Sequence, residues 1–216
     1  MAIESTKHNR LSYGSRIRAT HKALKDSTEQ KLLKENIFLK KKLRQERARS
    51  ETDDLTGVGN MHKLTHALKS RGGEMTRWSQ PLSIIFVDVN DLKKINDKKD
   101  IGGHKAGDNA IIGVARKLKS MIRSYDTLCR KGGDEFVIVT VNNSEESDGF
   151  VKRLKEEFIN NPVMVGHNPV GVAIGKATLH EEKKIDGDKI RALIEDLVDR
   201  ADKDMYEDKT RQKAGR

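Results

Sequence analysis

Three carboxylates stand where a sequence can put them to chemical use. Asp88 closes the apolar run Leu82-Ser83-Ile84-Ile85-Phe86-Val87, which follows Pro81 and has the mark of a buried strand. Asp134 and Glu135 follow the pair Gly132-Gly133, between Thr127-Leu128-Cys129-Arg130 and Phe136-Val137-Ile138-Val139-Thr140-Val141. Two strands around a Gly-Gly turn make a hairpin, because glycine supplies the positive φ of the tight primed turns. If the hairpin neighbours the first strand, carboxylates from both meet at one edge of a sheet. Hard oxygen ligands on rigid strands are what Mg²⁺ takes, with phosphate and water filling its remaining positions. Taken singly, Asp88 reads better as a cap for the next helix and Asp134 as a turn residue. Taken together, and with Lys93 and Lys94 opening the next helix, they make a metal-phosphate reading competitive.

The elements that must position these groups follow from periodicity. A helix is expected over 61–70, after the turn Thr56-Gly57-Val58-Gly59-Asn60, and a second begins at 92–97 and stops at a Gly-containing loop, 98–107. Residues 109–124 are amphipathic, with Ile111, Ile112, Val114, Ala115, Leu118, Met121 and Ile122 at helical spacing. A helix over 150–159, a strand over 170–174 and a closing helix over 190–206 complete the chain. The order strand, helix, hairpin, helix, strand, helix suits an α+β domain, with its sheet expected to be covered on one face.

Charge divides the 216 residues unevenly. Residues 1–50 hold 14 Lys+Arg against 5 Asp+Glu, whereas 51–216 hold 29 against 28. A basic arm (1–50) therefore precedes a nearly neutral domain (51–216), and only the arm has the electrostatics of a nucleic-acid binder. No aromatic but Phe38 interleaves its lysines, so nucleic acid is not an expected partner. Within the arm, Leu32, Asn36, Leu39 and Leu43 alternate at four- and three-residue spacing, the seam of a short coiled coil. A solvated helix packed on the domain and a self-associating helix both fit this pattern. No apolar stretch reaches the roughly 18–20 residues of a membrane span, and the single cysteine, Cys129, cannot form an intramolecular disulfide. A cytoplasmic location is expected, without zinc.

The same residues carry a resemblance. Gly132-Gly133-Asp134-Glu135-Phe136 is similar to the namesake motif of the GGDEF family of diguanylate cyclases, and ordered matches extend over about 52–213. Asp54-Leu55-Thr56-Gly57-Val58-Gly59-Asn60 resembles the motif that opens that domain. Phe86-Val87-Asp88-Val89-Asn90-Asp91-Leu92-Lys93-Lys94-Ile95-Asn96-Asp97 resembles F-x-D-[IV]-D-x-[FL]-K-x-[IV]-N-D, and Gly103-His104-Lys105-Ala106-Gly107-Asp108 resembles G-H-x-x-G-D. Ala173-Ile174-Gly175 and the stretch from Ala201 to Lys209 match further along. The resemblance implies a palm-like, antiparallel-rich sheet with covering helices, preceded by an N-terminal helix. It implies condensation of two GTP into cyclic di-GMP and two pyrophosphates, assisted by Mg²⁺ (or Mn²⁺), between two domains that face each other as a homodimer.

Carried over residue by residue, the resemblance makes Asp88, Asp134 and the Val89 carbonyl the metal ligands, with Glu135 assisting the chemistry. Asn96 and Asp108 would read the guanine edge. Lys93, Lys209 and Lys213, with the Leu92 and Lys93 amides, would take the triphosphate, which Gly132 and Gly133 allow close to the backbone. Arg123-Ser124-Tyr125-Asp126 matches R-x-x-D, five residues before Gly132, a site at which Arg123 and Asp126 would bind cyclic di-GMP as an inhibitor. The sequence departs from the pattern at Met61, where Arg is usual, and at Asn90, for the second Asp of D-x-D. The loop over 98–103 is about three residues longer than usual, which bears on base choice. Asp204 and Asp208 replace alanines and are expected to bring negative charge near Lys209, and Gln212-Lys213 stands where Gly-Arg is usual. Two other readings stay open: a silent receptor for cyclic di-GMP or GTP, and a cyclase of altered purine specificity. No sensor domain is expected within the first 50 residues.

Overall fold

The eight residues Leu82–Val89 are all buried, and they form strand β1 at the centre of the domain. A strand of this kind must be paired on both edges and covered on both faces, and β1 is. Its neighbours are β3 (Glu135–Thr140) and β6 (Val172–Leu179), both antiparallel, and β2 (Thr127–Gly132) pairs outside β3 to give the order β2-β3-β1-β6. In the computed structural model, residues 25, 28–42, 46, 51–97, 102–179 and 187–214 are described. Leu43 of the expected seam and residues 98–101 of the long loop lie outside them. The chain divides into two units, Met1–Ser50 and Glu51–Arg216. In the first, residues 28–42 are helical and exposed throughout.

The helices of the second unit are α1 (Met61–Trp78), α2 (Leu92–Asp97), α3 (His104–Met121), α4 (Ser144–Asn160) and α5 (Gly187–Ala214). They cover both faces of the sheet, not one. Ile85, Val87, Val89, Phe136 and Ile138 pack with Val114 and Leu118 of α3 and with Phe150, Leu154 and Phe158 of α4. Leu82, Ile84, Phe86, Val137 and Val139 face the other way, onto Leu64 and Met75 of α1 and Leu197, Ala201 and Met205 of α5. The continuous apolar run of β1 is the signature of a strand buried on both sides, and the one-face expectation missed it. By the two-residue alternation of the strand, Asp88 belongs with Ile84 and Phe86, on the α1/α5 face.

Local signals set most boundaries. Asn60 caps α1 by accepting from the His62 and Lys63 amides, and Asn143 and Glu146 form a capping box at α4. Helix α1 runs eight residues past the expected end, through Gly72 and Gly73. Burial of Met75 against the sheet outweighs the roughly 1 kcal/mol that each helical glycine costs. A second small hairpin, β4 (Val163–Val165) with β5 (Asn168–Val170), turns at Gly166 (φ 60°) and was not expected. Its strands are three residues long and one contains Pro169, so neither shows a readable period.

The edge strand β6 is closed by α5. Asp208 accepts from the Ile174 amide (2.9 Å) and Asp204 from the Lys176 amide (2.8 Å). These two carboxylates satisfy backbone donors of an edge strand, which left bare invite pairing with another chain. Both carboxylates thus have partners of their own in β6, and Asp208 also binds the Lys155 ammonium at 2.6 Å. Gly175 makes this approach possible, since a side chain there would overlap the Met205 backbone.

Candidate active site at the carboxylate end of the central strand

Antiparallel pairing sets Asp88 directly opposite Glu135, and the Val89 amide donates to the Asp134 carbonyl at 3.1 Å. The two acidic segments, far apart in the sequence, thus meet at one end of the sheet. From α5, across the face, Lys209 reaches in and its ammonium lies 2.6 Å from Asp88 Oδ1. Asp88 is nearly inaccessible to solvent. Burial pushes its carboxyl above the ordinary value, and the negative charges of Asp134 and Glu135 add to this; the Lys209 ammonium pulls the other way without cancelling it. Glu135 is itself paired with Lys131 at 3.2 Å, and Lys131 lies over the Phe86 ring.

Two cavities meet at Lys209 and Lys213. One, of about 210 Å³, is lined by Asn90, Asp91, Leu92, Lys93, Asp134, Lys209, Gln212 and Lys213. The other, of about 560 Å³, contains Asp88, Glu135, Lys209 and Lys213. Carboxylates on the strand side and ammonium groups on the helix side make a site for a ligand that carries both a cation and phosphates. Among the described residues, no three His, Cys, Asp or Glu side chains gather tightly enough to cage a metal by themselves.

The turn beside these carboxylates is open. Gly133 has φ 50°, which explains its glycine, but a side chain built at Gly132 or Gly133 would meet nothing within 4 Å. Packing does not demand two glycines there, and the open space above them is room for a ligand. At the other side of the cavity, Asp91 also takes a left-handed conformation (φ 57°) and turns the chain from β1 into α2, with its carboxylate 3.0 Å from Lys94. Asn96, further along α2, lies against Gly107 of α3, where any side chain would overlap its amide. Asp108 follows and is exposed. Neither Asn96 nor Asp108 is among the residues that line the smaller cavity.

Arg123 and Asp126 close a tight turn. The Asp126 carboxylate accepts from the Arg123 amide at 2.9 Å, while its Oδ1 is buried without a hydrogen-bond partner. The Arg123 guanidinium donates to Tyr125 Oη (2.7 Å) and Asn142 Oδ1 (3.2 Å).

Two residues that the sequence reading passed over hold the turn. Arg130 donates twice to the Gly133 carbonyl (3.0 and 2.7 Å) and reaches Asp53 at 3.2 Å. Asp53 also accepts from the Thr56 amide and hydroxyl. Its burial raises the carboxyl pKa, but the Thr56 hydrogen bonds and the Arg130 charge outweigh that and hold it below the ordinary value. One guanidinium thus ties the opening turn of the domain to the Gly-Gly turn. An arginine two residues before Gly132 was a visible signal; its partner, 77 residues away, was not.

This geometry can be set beside known proteins. Residues 50–215 match the family model described as diguanylate cyclase, GGDEF domain. The chain belongs to the GGDEF family. It is 31% identical over 157 residues to the diguanylate cyclase DgcS of Shewanella oneidensis, covering 73% of this chain and 49% of that protein. The active GGEEF domain of a diguanylate cyclase from Vibrio cholerae is similar in structure, with TM-score 0.58 and 27% identity over 68% of this chain and 88% of that one. A microbial GGDEF domain solved with cyclic di-GMP aligns with TM-score 0.59 and 25% identity, over 74% of this chain and 94% of that one. The chain spans about half or less of the length of the curated relatives it matches. No helix among the described residues is long and apolar enough to cross a membrane.

Proposed function

We propose that this GGDEF domain condenses two GTP molecules into cyclic di-GMP, with release of two pyrophosphates. The observation that carries the reading is the interleaving of charges across two cavities that share Lys209 and Lys213 of α5: Asp134 and Lys93 line one, Asp88 and Glu135 the other. Asp88 and Asp134, with the Val89 carbonyl, would hold Mg²⁺; when bound, that ion neutralises charge on the α-phosphate and lowers the pKa of the attacking hydroxyl. Lys93, Lys209 and Lys213 hold the triphosphate, and the Leu92 and Lys93 amides add donors. In each of two equivalent steps, a ribose 3′-oxygen forms a bond to the α-phosphorus of the other nucleotide as the bond to pyrophosphate breaks. Glu135 would help to remove the hydroxyl proton. Asn96 and Asp108 read guanine, Asp108 by accepting from N1–H and N2–H₂, a donor pair that adenine lacks.

Each domain supplies half of the reacting pair, so two copies must face each other. Helix 28–42 exposes Leu32, Leu33, Ile37, Phe38 and Leu39, each at least 55% accessible, a surface suited to pairing two copies. Pairing raises the effective concentration of one half-site at the other. Arg123 and Asp126 form the product-inhibition site, which the Arg123 guanidinium enters by leaving Tyr125 and Asn142.

Purified protein incubated with GTP and Mg²⁺, with and without ATP, tests the reading when the products are resolved by chromatography and mass. Cyclic di-GMP from the wild type, absent with Asp134→Ala, is the expected result. Bound GTP with no product after removal of co-purified nucleotide would make the domain a receptor instead. A mixed product would reassign the base choice.

A further inference from the structure

Two departures from the family pattern, Asn90 and Gln212, face each other across the phosphate cavity. The Gln212 amide nitrogen donates to the Val172 carbonyl (3.1 Å) and to Asp208 Oδ2 (2.8 Å), which uses both of its N–H groups. The carbonyl and the carboxylate can only accept, so the orientation of the Gln212 amide is chemically fixed. Its Oε1 is left needing a donor, and Asn90 Nδ2 supplies one at 2.8 Å. Asn90 is buried, and its backbone N–H donates to the Gly171 carbonyl (2.9 Å). An aspartate at position 90 would set a carboxylate against Oε1. Turning the Gln212 amide over would only move the clash to Val172 and Asp208.

We infer that Asn90 and Gln212 are one compensated change, a positioning pair that fastens the last turn of α5 to the end of β1 and so holds Lys209 and Lys213 over Asp88 and Asp134. This rests on the proposed phosphate site for its consequence, though not for its geometry. Lys209 and Lys213 lie three residues before and one after Gln212, and all three line the cavity that Asn90 closes from the strand side. Without the clamp, the two lysines ride on a helix end with one fewer anchor to the strand that carries the carboxylates. Nucleotide affinity therefore depends on the pair although neither residue need touch phosphate.

A double-mutant cycle on the full chain tests it, read by calorimetric affinity for a non-reacting GTP analogue with Mg²⁺ and by hydrogen exchange over 209–214. Asn90→Asp alone is expected to weaken analogue binding about tenfold and to speed exchange about tenfold, the scale of one lost hydrogen bond with its acceptor left facing a like group. In the Gln212→Ala background, where no Oε1 remains to oppose it, the same change is expected to move exchange by less than about twofold, while the added charge still weakens analogue binding. Asn90→Ala, which removes the donor to Oε1 without adding a charge, should speed exchange in the same direction and covers the case in which Asn90→Asp does not fold. Equal effects of Asn90→Asp on exchange in both backgrounds, or unchanged exchange in Asn90→Asp or Asn90→Ala, would overturn the pair. If the wild type binds no nucleotide, the proposed function fails while the exchange measurements still decide the pairing.

Discussion

The two ends of strand β1 each bury a polar residue of the same sheet, and they treat it in opposite ways. At one end, Ser83 exchanges hydrogen bonds with the Asn142 carbonyl (2.7 Å), Thr178 Oγ1 (2.7 Å) and Ser147 Oγ (2.8 Å), all neutral groups. At the other, Asp88 is a charge beside two like charges, matched by a lysine from a different element, and lines a cavity. In the first arrangement every partner of Ser83 comes from the protein. The second holds excess charge of both signs that a metal-bound triphosphate would complete. A buried polar residue therefore points to function when its environment is completed from outside.

Substitution at each end should separate the two roles. The largest expected effect is on activity: Asp88→Ala or Asp134→Ala should reduce cyclic di-GMP formation more than about 100-fold, beyond the 10–100-fold typical of outer-shell changes at metal sites, with circular dichroism unchanged. Residual activity within tenfold of wild type would move the metal site elsewhere. Ser83→Ala should cost about 1–3 kcal/mol of stability, because its partners lose a buried hydrogen bond, and it should leave kcat of the surviving fold near that of the wild type. A denaturant titration together with a turnover assay reads both.

Asp88→Asn should have a smaller effect, and of opposite sign to Ser83→Ala. The folded carboxyl titrates above its ordinary 3.8, so folding favours the protonated form. The stability it contributes is full below about that value and is lost as pH rises through the raised pKa. Asparagine mimics the protonated form. The metal-free variant should match wild type near pH 3.5 and become the more stable of the two as pH rises toward 7. Stability curves that diverge on acidification instead would contradict the assigned direction.

The contrast also shows what could be read from the chain. Asp88 and the Gly-Gly turn were legible because an apolar run ending in a charge, and glycines before a second run, are local patterns. Their meeting depended on β1 and β3 being neighbours, which the register of Asp88 against Glu135 supplies. The continuation of α1 past Gly72 was not legible, because Met75 is held by tertiary burial rather than by propensity. Nor were the roles of Asp204 and Asp208, which look like misplaced charge until their partners are seen to be β6 amides. The Arg130–Asp53 tie and the Asn90–Gln212 pair join residues 77 and 122 positions apart, beyond any periodicity.

The central claim is that the Asp88–Asp134 end of the sheet binds a divalent cation together with a nucleotide. Mn²⁺ can be titrated into the protein in the presence of a non-reacting GTP analogue and followed by electron paramagnetic resonance, for the wild type and for Asp88→Asn. The account predicts nucleotide-dependent Mn²⁺ binding in the wild type and its loss in the variant. Binding of equal affinity in both proteins would contradict it.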